Sequence, residues 1–228
     1  DHCTVCHKCL SPCPVDIDYG DVSIAMRNFL REQDKKHFNP GTLMAMTYLN
    51  LKDPLTIKIM RKFMVDIGYK FQRWGHSLFK KIGLVNFSKK SPKSTVGKSS
   101  ISTQVIHFMN RPMPKEMPTK TSRGLLGIED DKVIPVIRNI DKIDENSEAV
   151  FYFPGCGSER LFSQVGLATQ AMLYKVGAIT VLPPGYLCCG YPQTSSGDHD
   201  KGQEITSDNR VQFHRVANTL NYLDIKTV

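Results

Sequence analysis

Apolar residues recur with a helical period through the first third of the chain. Val22, Met26, Phe29 and Leu30 share one face of a helix that Asp21 is placed to cap. A second short helix is predicted after Gly41. The longest pattern runs from about Leu55 to Ile82, where Ile57, Met60, Met64, Ile67, Phe71, Trp74, Leu78 and Ile82 recur at steps of three and four. Gly68 and Gly75 are positioned to bend it, and the basic residues fall on the opposite face. The preferred reading packs this stripe inward as a seam with a solvated cationic back. The other lays the helix on an anionic membrane surface or an acidic partner.

The period then disappears. Residues 86–124 are rich in Ser, Lys and Pro and read as a connection. Beyond it the pattern alternates, with short apolar strands at Ala149–Phe153, Ala178–Leu182 and Ile225–Val228. Helices fill the gaps, one capped by Ser158 and running to about Lys175, another from about Lys201 to Leu223. Such βαβα alternation predicts a small parallel sheet with right-handed crossovers. The fold class expected for the chain is α+β.

At 228 residues and 40% hydrophobic content the chain can bury a core of one or two domains. No apolar stretch approaches the ~20 residues of a membrane-spanning helix. The net charge of +8 is concentrated between residues 54 and 124, where Lys58, Arg61, Lys62, Lys70, Arg73, Lys80 and Lys81 face a single Asp66 before the lysine-rich connection begins. That connection lacks the aromatic interleaving of single-strand nucleic-acid binders, and no reading helix is recognisable, so no nucleic-acid partner is expected.

Cysteine placement carries the chemistry. Cys3, Cys6, Cys9 and Cys13, followed by Pro14, form C-x2-C-x2-C-x3-C-P, the iron-sulfur ligand string in which the last cysteine serves a neighbouring cluster. Thiolates every third residue line the inner curve of a tight loop and converge on one cubane, while Pro14 redirects the chain. Two alternatives stand beside this. A disulfide framework would leave one of seven cysteines unpaired, and nothing resembles a signal peptide. A zinc site usually takes two well-separated C-x2-C pairs. His2 and His7 flank the string, where a histidine more often hydrogen-bonds a ligand or meets solvent than binds the metal itself. The missing companion string and the opening at Asp1 suggest a fragment cut at its amino end. Thiolates and labile clusters point to a reducing compartment.

A second group follows the strands. Cys156 lies in PGCG after the first, and Cys188 and Cys189 lie in LCCGYP after the second. Both sites fall at carboxyl ends of parallel strands, the edge where ligands bind, so three thiolates separated by 31 residues can meet. Gly155, Gly157 and Gly190 permit close backbone approach. The plainer reading makes buried cysteines small hydrophobes.

FPGC, 31 residues and CCG together resemble the cysteine-rich domain of the heterodisulfide reductase B subunit. That domain also occurs in the iron-sulfur subunits of glycolate oxidase, lactate-utilisation proteins and anaerobic glycerol-3-phosphate dehydrogenase. CTVCHKCLSPCPVDID followed by IAMRNFLRE is similar to the second half of the helical two-cluster ferredoxin domain that precedes it in those families. With MVDIGYKFQRWGH and HFMNRPMPKEMP, the whole looks most like the carboxyl-terminal part of large FAD-linked 2-hydroxy-acid oxidoreductases.

The resemblance implies half of a ferredoxin domain at 1–35, a helical extension at 36–85, a basic connection at 86–147 and a truncated cysteine-rich domain at 148–228. It implies 4Fe-4S ligation by Cys3, Cys6 and Cys9, with Cys13 serving the companion cluster and Cys156, Cys188 and Cys189 a cluster of the second domain. The family's upstream ferredoxin string and final C-x-x-C pair are absent from this sequence. FAD is expected on a flavoprotein domain or subunit, with a quinone or other acceptor downstream, in the cytoplasm or peripherally on the inner face of the membrane. The expected role is electron transfer from a flavin-dependent oxidation of glycolate or lactate type, with substrate chemistry outside this chain. The rival expectation is a heterodisulfide-reductase-like subunit that splits a disulfide at the second site. A non-enzymatic alternative is a zinc-stabilised interaction module.

Overall fold

The computed structural model describes residues 3–36, 40–83, 105 and 108–228. They divide into two compact units, Cys3–Ile57 with Lys120–Val228, and Lys58–Thr119. In chain order the main elements are α1 (Tyr19–Glu32), α2 (Pro40–Asn50), α3 (Pro54–Arg61), a π-helical turn (Lys62–Ile67) and α4 (Gly68–Lys81). These are followed by α5 (Ser122–Leu126), β1 (Val136–Ile137), β2 (Ala149–Phe151), α6 (Gly155–Arg160), α7 (Ser163–Val176), β3 (Ile179–Val181), α8 (Tyr191–Ser195) and α9 (His199–Thr219). No helix of the described residues is long and apolar enough to cross a membrane.

In the first unit the α+β class holds, with a mixed sheet in place of the parallel one expected. β2 and β3 are parallel neighbours. β1, which lies inside the stretch read as a connection, pairs antiparallel with β3 and gives the order β1-β3-β2. Two residues are too few to register a strand period in the sequence. The strand expected at Ile225–Val228 contracts to one parallel bridge between Thr227 and Val150, in which the Thr227 carbonyl accepts the Phe151 N–H at 2.9 Å.

Local capping also departs from expectation. Asp18, not Asp21, caps α1 by accepting the Gly20 N–H at 2.7 Å, leaving Asp21 in the first turn where its charge favours the helix dipole. The helix expected from Ser158 is two helices, broken at Leu161 and Phe162, and the Ser158 hydroxyl donates back to the Pro154 carbonyl. The expected helix over Lys201–Leu223 is α9, capped by Asp198. It lays Val216 and Leu220 against Phe151 and Val181 to form the core. Phe213 meets Phe151 and Phe153 edge-on, at centroid distances of 5.0 and 5.6 Å. Each such large apolar side chain contributes about 1.5–3 kcal/mol when fully buried.

The second unit corrects the inward seam. Ile57, just before the unit begins, is buried, and Met60 and Met64 are half-buried, whereas Ile67, Phe71, Trp74, Leu78 and Ile82 are exposed. The π turn is the reason. It accommodates one residue more than an α-turn would, so α4 is rotated by about 100° from the face the sequence pattern assigns it. Gly75 lies against the Met109 side chain, where a Cβ would stand 3.0 Å from the sulfur. The basic Ser/Lys/Pro stretch lies largely outside the described residues, at 84–104 and 106–107.

Candidate functional site

All seven cysteines are free thiols. The first four occupy an irregular loop ahead of α1, with Cys6 exposed and Cys3, Cys9 and Cys13 half-buried. Turn hydrogen bonds from Leu10 N–H to the His7 carbonyl (3.2 Å) and from Cys13 N–H to the Leu10 carbonyl (3.0 Å) wind it tightly. Val5 and His7 adopt left-handed backbone with φ of 54° and 56°. For a β-branched residue such as Val5 that is a genuine outlier, of the kind that persists where surrounding structure enforces it.

Amide donors are already aimed at sulfur. Val5 N–H points at Cys3 Sγ at 3.4 Å and Ile17 N–H at Cys13 Sγ at 3.3 Å. The Cys3 thiol is lowered from its ordinary pKa, first by Ser23 and then by the Val5 amide. Amide donation to sulfur favours thiolate and is one of the levers that set cluster potentials.

The second group is assembled from two strand ends. α6 begins directly after β2 and carries Cys156 in its first turn, while Cys188 and Cys189 lie beyond β3. Cys156 and Cys188 are buried and Cys189 is exposed, and the Cys188 thiol donates to Gln193 Oε1 at 4.0 Å. The neighbouring Cys188 thiol, helped by the Arg160 guanidinium, lowers Cys156 to about 7 against the penalty of burial. Cys188 and Cys189 move the other way, each raised by its sulfur neighbour. Backbone geometry is pinned from α9, where Asn209 Nδ2 donates to the Cys188 carbonyl at 2.7 Å.

Beneath this group lies a buried polar layer that the sequence pattern did not expose. Arg123 is ion-paired to Glu159, with side chains 1% and 2% exposed, and donates to the Pro183 carbonyl at 2.7 Å. Arg123 and Arg160 both stand over the Tyr186 ring, 5.7 and 5.5 Å from its centroid. The Tyr186 hydroxyl donates to Glu129 and meets the Thr121 hydroxyl, each at 2.7 Å. Arg160 donates to the Tyr48 carbonyl at 2.7 Å, one helical turn beyond Cys156. The motif-based reading found the cysteines and missed these partners, because their signal is burial, not spacing.

The two cysteine groups share one compact unit. His7, between Cys6 and Cys9, places Nδ1 2.5 Å from Asp18 and Nε2 3.1 Å from the hydroxyl of Tyr191, two residues after Cys189. That hydroxyl donates to the Val5 carbonyl at 3.2 Å. Arg27 spans the same junction, reaching the Cys3 carbonyl at 2.5 Å and the Ser195 carbonyl at 2.7 Å, while Arg31 pairs with Asp198 at 2.7 Å. His7 is thus a partner of the junction and not a solvent group. His2 lies outside the described residues.

The donor set suits iron-sulfur ligation: unpaired thiols in two groups, amide donors on sulfur, and a guanidinium behind Cys156. The bridging segment at Ile225–Val228 contributes no cysteine, so the second group offers three thiols within this sequence.

Comparison with known proteins gives one family match and one curated relative. Residues 150–220 match the family model described as a cysteine-rich domain, CCG. The chain is 25% identical over 211 residues, 92% of its length, to the probable glycolate oxidase iron-sulfur subunit of Bacillus subtilis (strain 168), and it spans 41% of that protein. No solved structure matches. The chain is therefore similar to an iron-sulfur subunit along most of its length, and to cysteine-rich domains where Cys156, Cys188 and Cys189 lie.

Proposed function

We propose that this chain is an iron-sulfur electron-transfer module of a flavin-dependent oxidoreductase. Cys3, Cys6 and Cys9 hold one 4Fe-4S cluster, Cys13 contributes to a companion cluster, and Cys156, Cys188 and Cys189 hold the cluster of the cysteine-rich domain. When bound, such clusters supply single-electron steps at potentials between roughly −700 and +450 mV. The residues of the chain do the rest: amides of Val5 and Ile17 stabilise thiolate, Arg160 adds positive charge behind Cys156, and the His7–Tyr191 junction fixes one site against the other.

The observation that carries this reading is the joining of two thiol groups in one unit through His7, Arg27 and Tyr191. Electrons from oxidation of a 2-hydroxy acid of glycolate or lactate type enter from an FAD-bearing partner and leave to a quinone or similar acceptor. The similarity to a probable glycolate oxidase iron-sulfur subunit supports that substrate class.

The test is anaerobic reconstitution of the longer protein with its flavoprotein partner, followed by iron and sulfide counting, electron paramagnetic resonance and acceptor reduction with glycolate or D-lactate. Iron bound at both sites and reduced by the hydroxy acid is the expected result. A colourless protein that binds zinc alone would overturn it.

A further inference from the structure

The helix of the Lys58–Thr119 unit is built inside out. Its polar side chains turn toward the returning chain at 108–118. Arg61 donates to the Pro118 carbonyl. The Gln72 amide donates to the carbonyls of Phe108 and Arg111, both at 2.8 Å, and accepts the Met113 N–H at 2.9 Å. Arg73 reaches the Pro114 carbonyl at 2.8 Å, and His76 Nδ1 lies 2.7 Å from the Met109 carbonyl.

The face left outside carries Ile59, Phe63, Ile67, Phe71, Trp74 and Leu78, all exposed, with Phe71 at 65% and Trp74 at 62%. A surface helix of a globular protein presents the opposite arrangement. The spacing matters too. Ile59, Phe63, Ile67 and Phe71 repeat every four residues, and in an unbroken α-helix such a file drifts by about 40° per step. The π turn at Lys62–Ile67 winds more slowly and cancels that drift, so the file stays on one side and runs on into Trp74 and Leu78. A rare element stands where it keeps an exposed apolar file straight.

Charge lies beside it. The residue preceding an apolar member is lysine at Lys58, Lys62 and Lys70, with Asp66 the one acid, ahead of Ile67. The described lysines are exposed. An apolar face with aromatic members and a flanking row of lysines is the chemistry of an in-plane helix on anionic lipid, the stems buried along the apolar surface and the ammonium groups at the headgroups.

We propose that this face is the surface by which the protein lies on an anionic lipid bilayer. The inference goes beyond the electron-transfer reading and does not depend on it, because no cysteine is involved.

Trp74 is the single tryptophan of the sequence, so its emission reports this face directly. The full chain is mixed with vesicles of phosphatidylglycerol and phosphatidylcholine, and with phosphatidylcholine alone. The expected result is pelleting with the anionic vesicles, a blue shift of Trp74 emission and quenching by brominated acyl chains. Lys62→Gln and Lys70→Gln each weaken anionic binding roughly fivefold, and added salt weakens it further. Phe71→Glu abolishes pelleting while circular dichroism and iron content are retained. Unchanged Trp74 emission with wild-type protein and anionic vesicles would overturn the proposal without reliance on any variant. So would equal binding to neutral vesicles, or a blue-shifted emission without lipid that is lost on dilution, which would assign the face to a second copy. Capture of an acidic protein by this face in place of vesicles would also overturn it.

Discussion

His7 Nε2 lies 3.1 Å from the hydroxyl of Tyr191, a hydrogen bond between residues 184 positions apart that ties the first cysteine loop to the turn following Cys188 and Cys189. The same hydroxyl donates to the Val5 carbonyl, so one side chain holds two points of the loop. Tyr191→Phe removes both contacts and leaves the ring. The expected loss is about 0.5–1.5 kcal/mol per bond, measured by urea denaturation of the metal-free chain. Iron content after reconstitution should be unchanged, and magnetic interaction between the two sites should weaken.

The roles given to the first four cysteines differ, and so should their variants. On the proposed assignment Cys6→Ser removes a ligand from the cluster of its own loop, and the spectroscopic signal of that cluster should be lost. Cys13→Ser should leave that signal in place, because on that assignment its thiolate serves the companion cluster. Loss of the same signal in both variants would show that all four thiols serve one site.

Arg123 and Glu159 form an ion pair almost wholly out of water. Removing one charge strands the other, so Arg123→Met and Glu159→Leu are each expected to destabilise the first unit by about 3–5 kcal/mol in denaturant titrations. The double variant should be much less damaging than the sum, since a pair replaced together leaves no orphan charge.

Asp18 predicts an acid-side dependence. Its carboxyl is held below the ordinary range, first by His7 and also by the Gly20 amide. A carboxyl lowered on folding contributes stability above its unfolded value, near ~3.9, and loses that contribution as pH falls through the folded value. Asp18→Asn should therefore flatten the fall in stability below about pH 4, as followed by thermal unfolding across the acid range.

Much of the site could be read from the sequence because its signal is local. The run from Cys3 to Cys13 is a spacing, and the Cys156 and Cys188 positions follow from two short apolar strands ending in glycine-flanked cysteines. The strands that carry Phe151 and Val181 were likewise legible as short apolar runs, and the helix that carries Val216 by its approximate extent. What escaped was either too short or too distant in sequence. β1 is two residues long, and Asp18 and Asp21 both satisfy the rule for a cap. Tyr191, Arg123 and Arg160 acquire meaning only through partners far along the chain. The apolar pattern from Ile57 to Ile82 was visible and its direction was not, because counting by threes and fours assumes an unbroken α-helix.

The π turn at Lys62–Ile67 has an evolutionary consequence. Such a turn is what one additional codon produces in a helix, and a single codon turns everything downstream by about a quarter of a revolution. Removing one residue from the turn would carry Phe71 and Trp74 about 100° round the helix, toward the side where Met60 and Met64 are half-buried. One residue thus sets whether the apolar side chains of this helix meet their own fold or its surroundings.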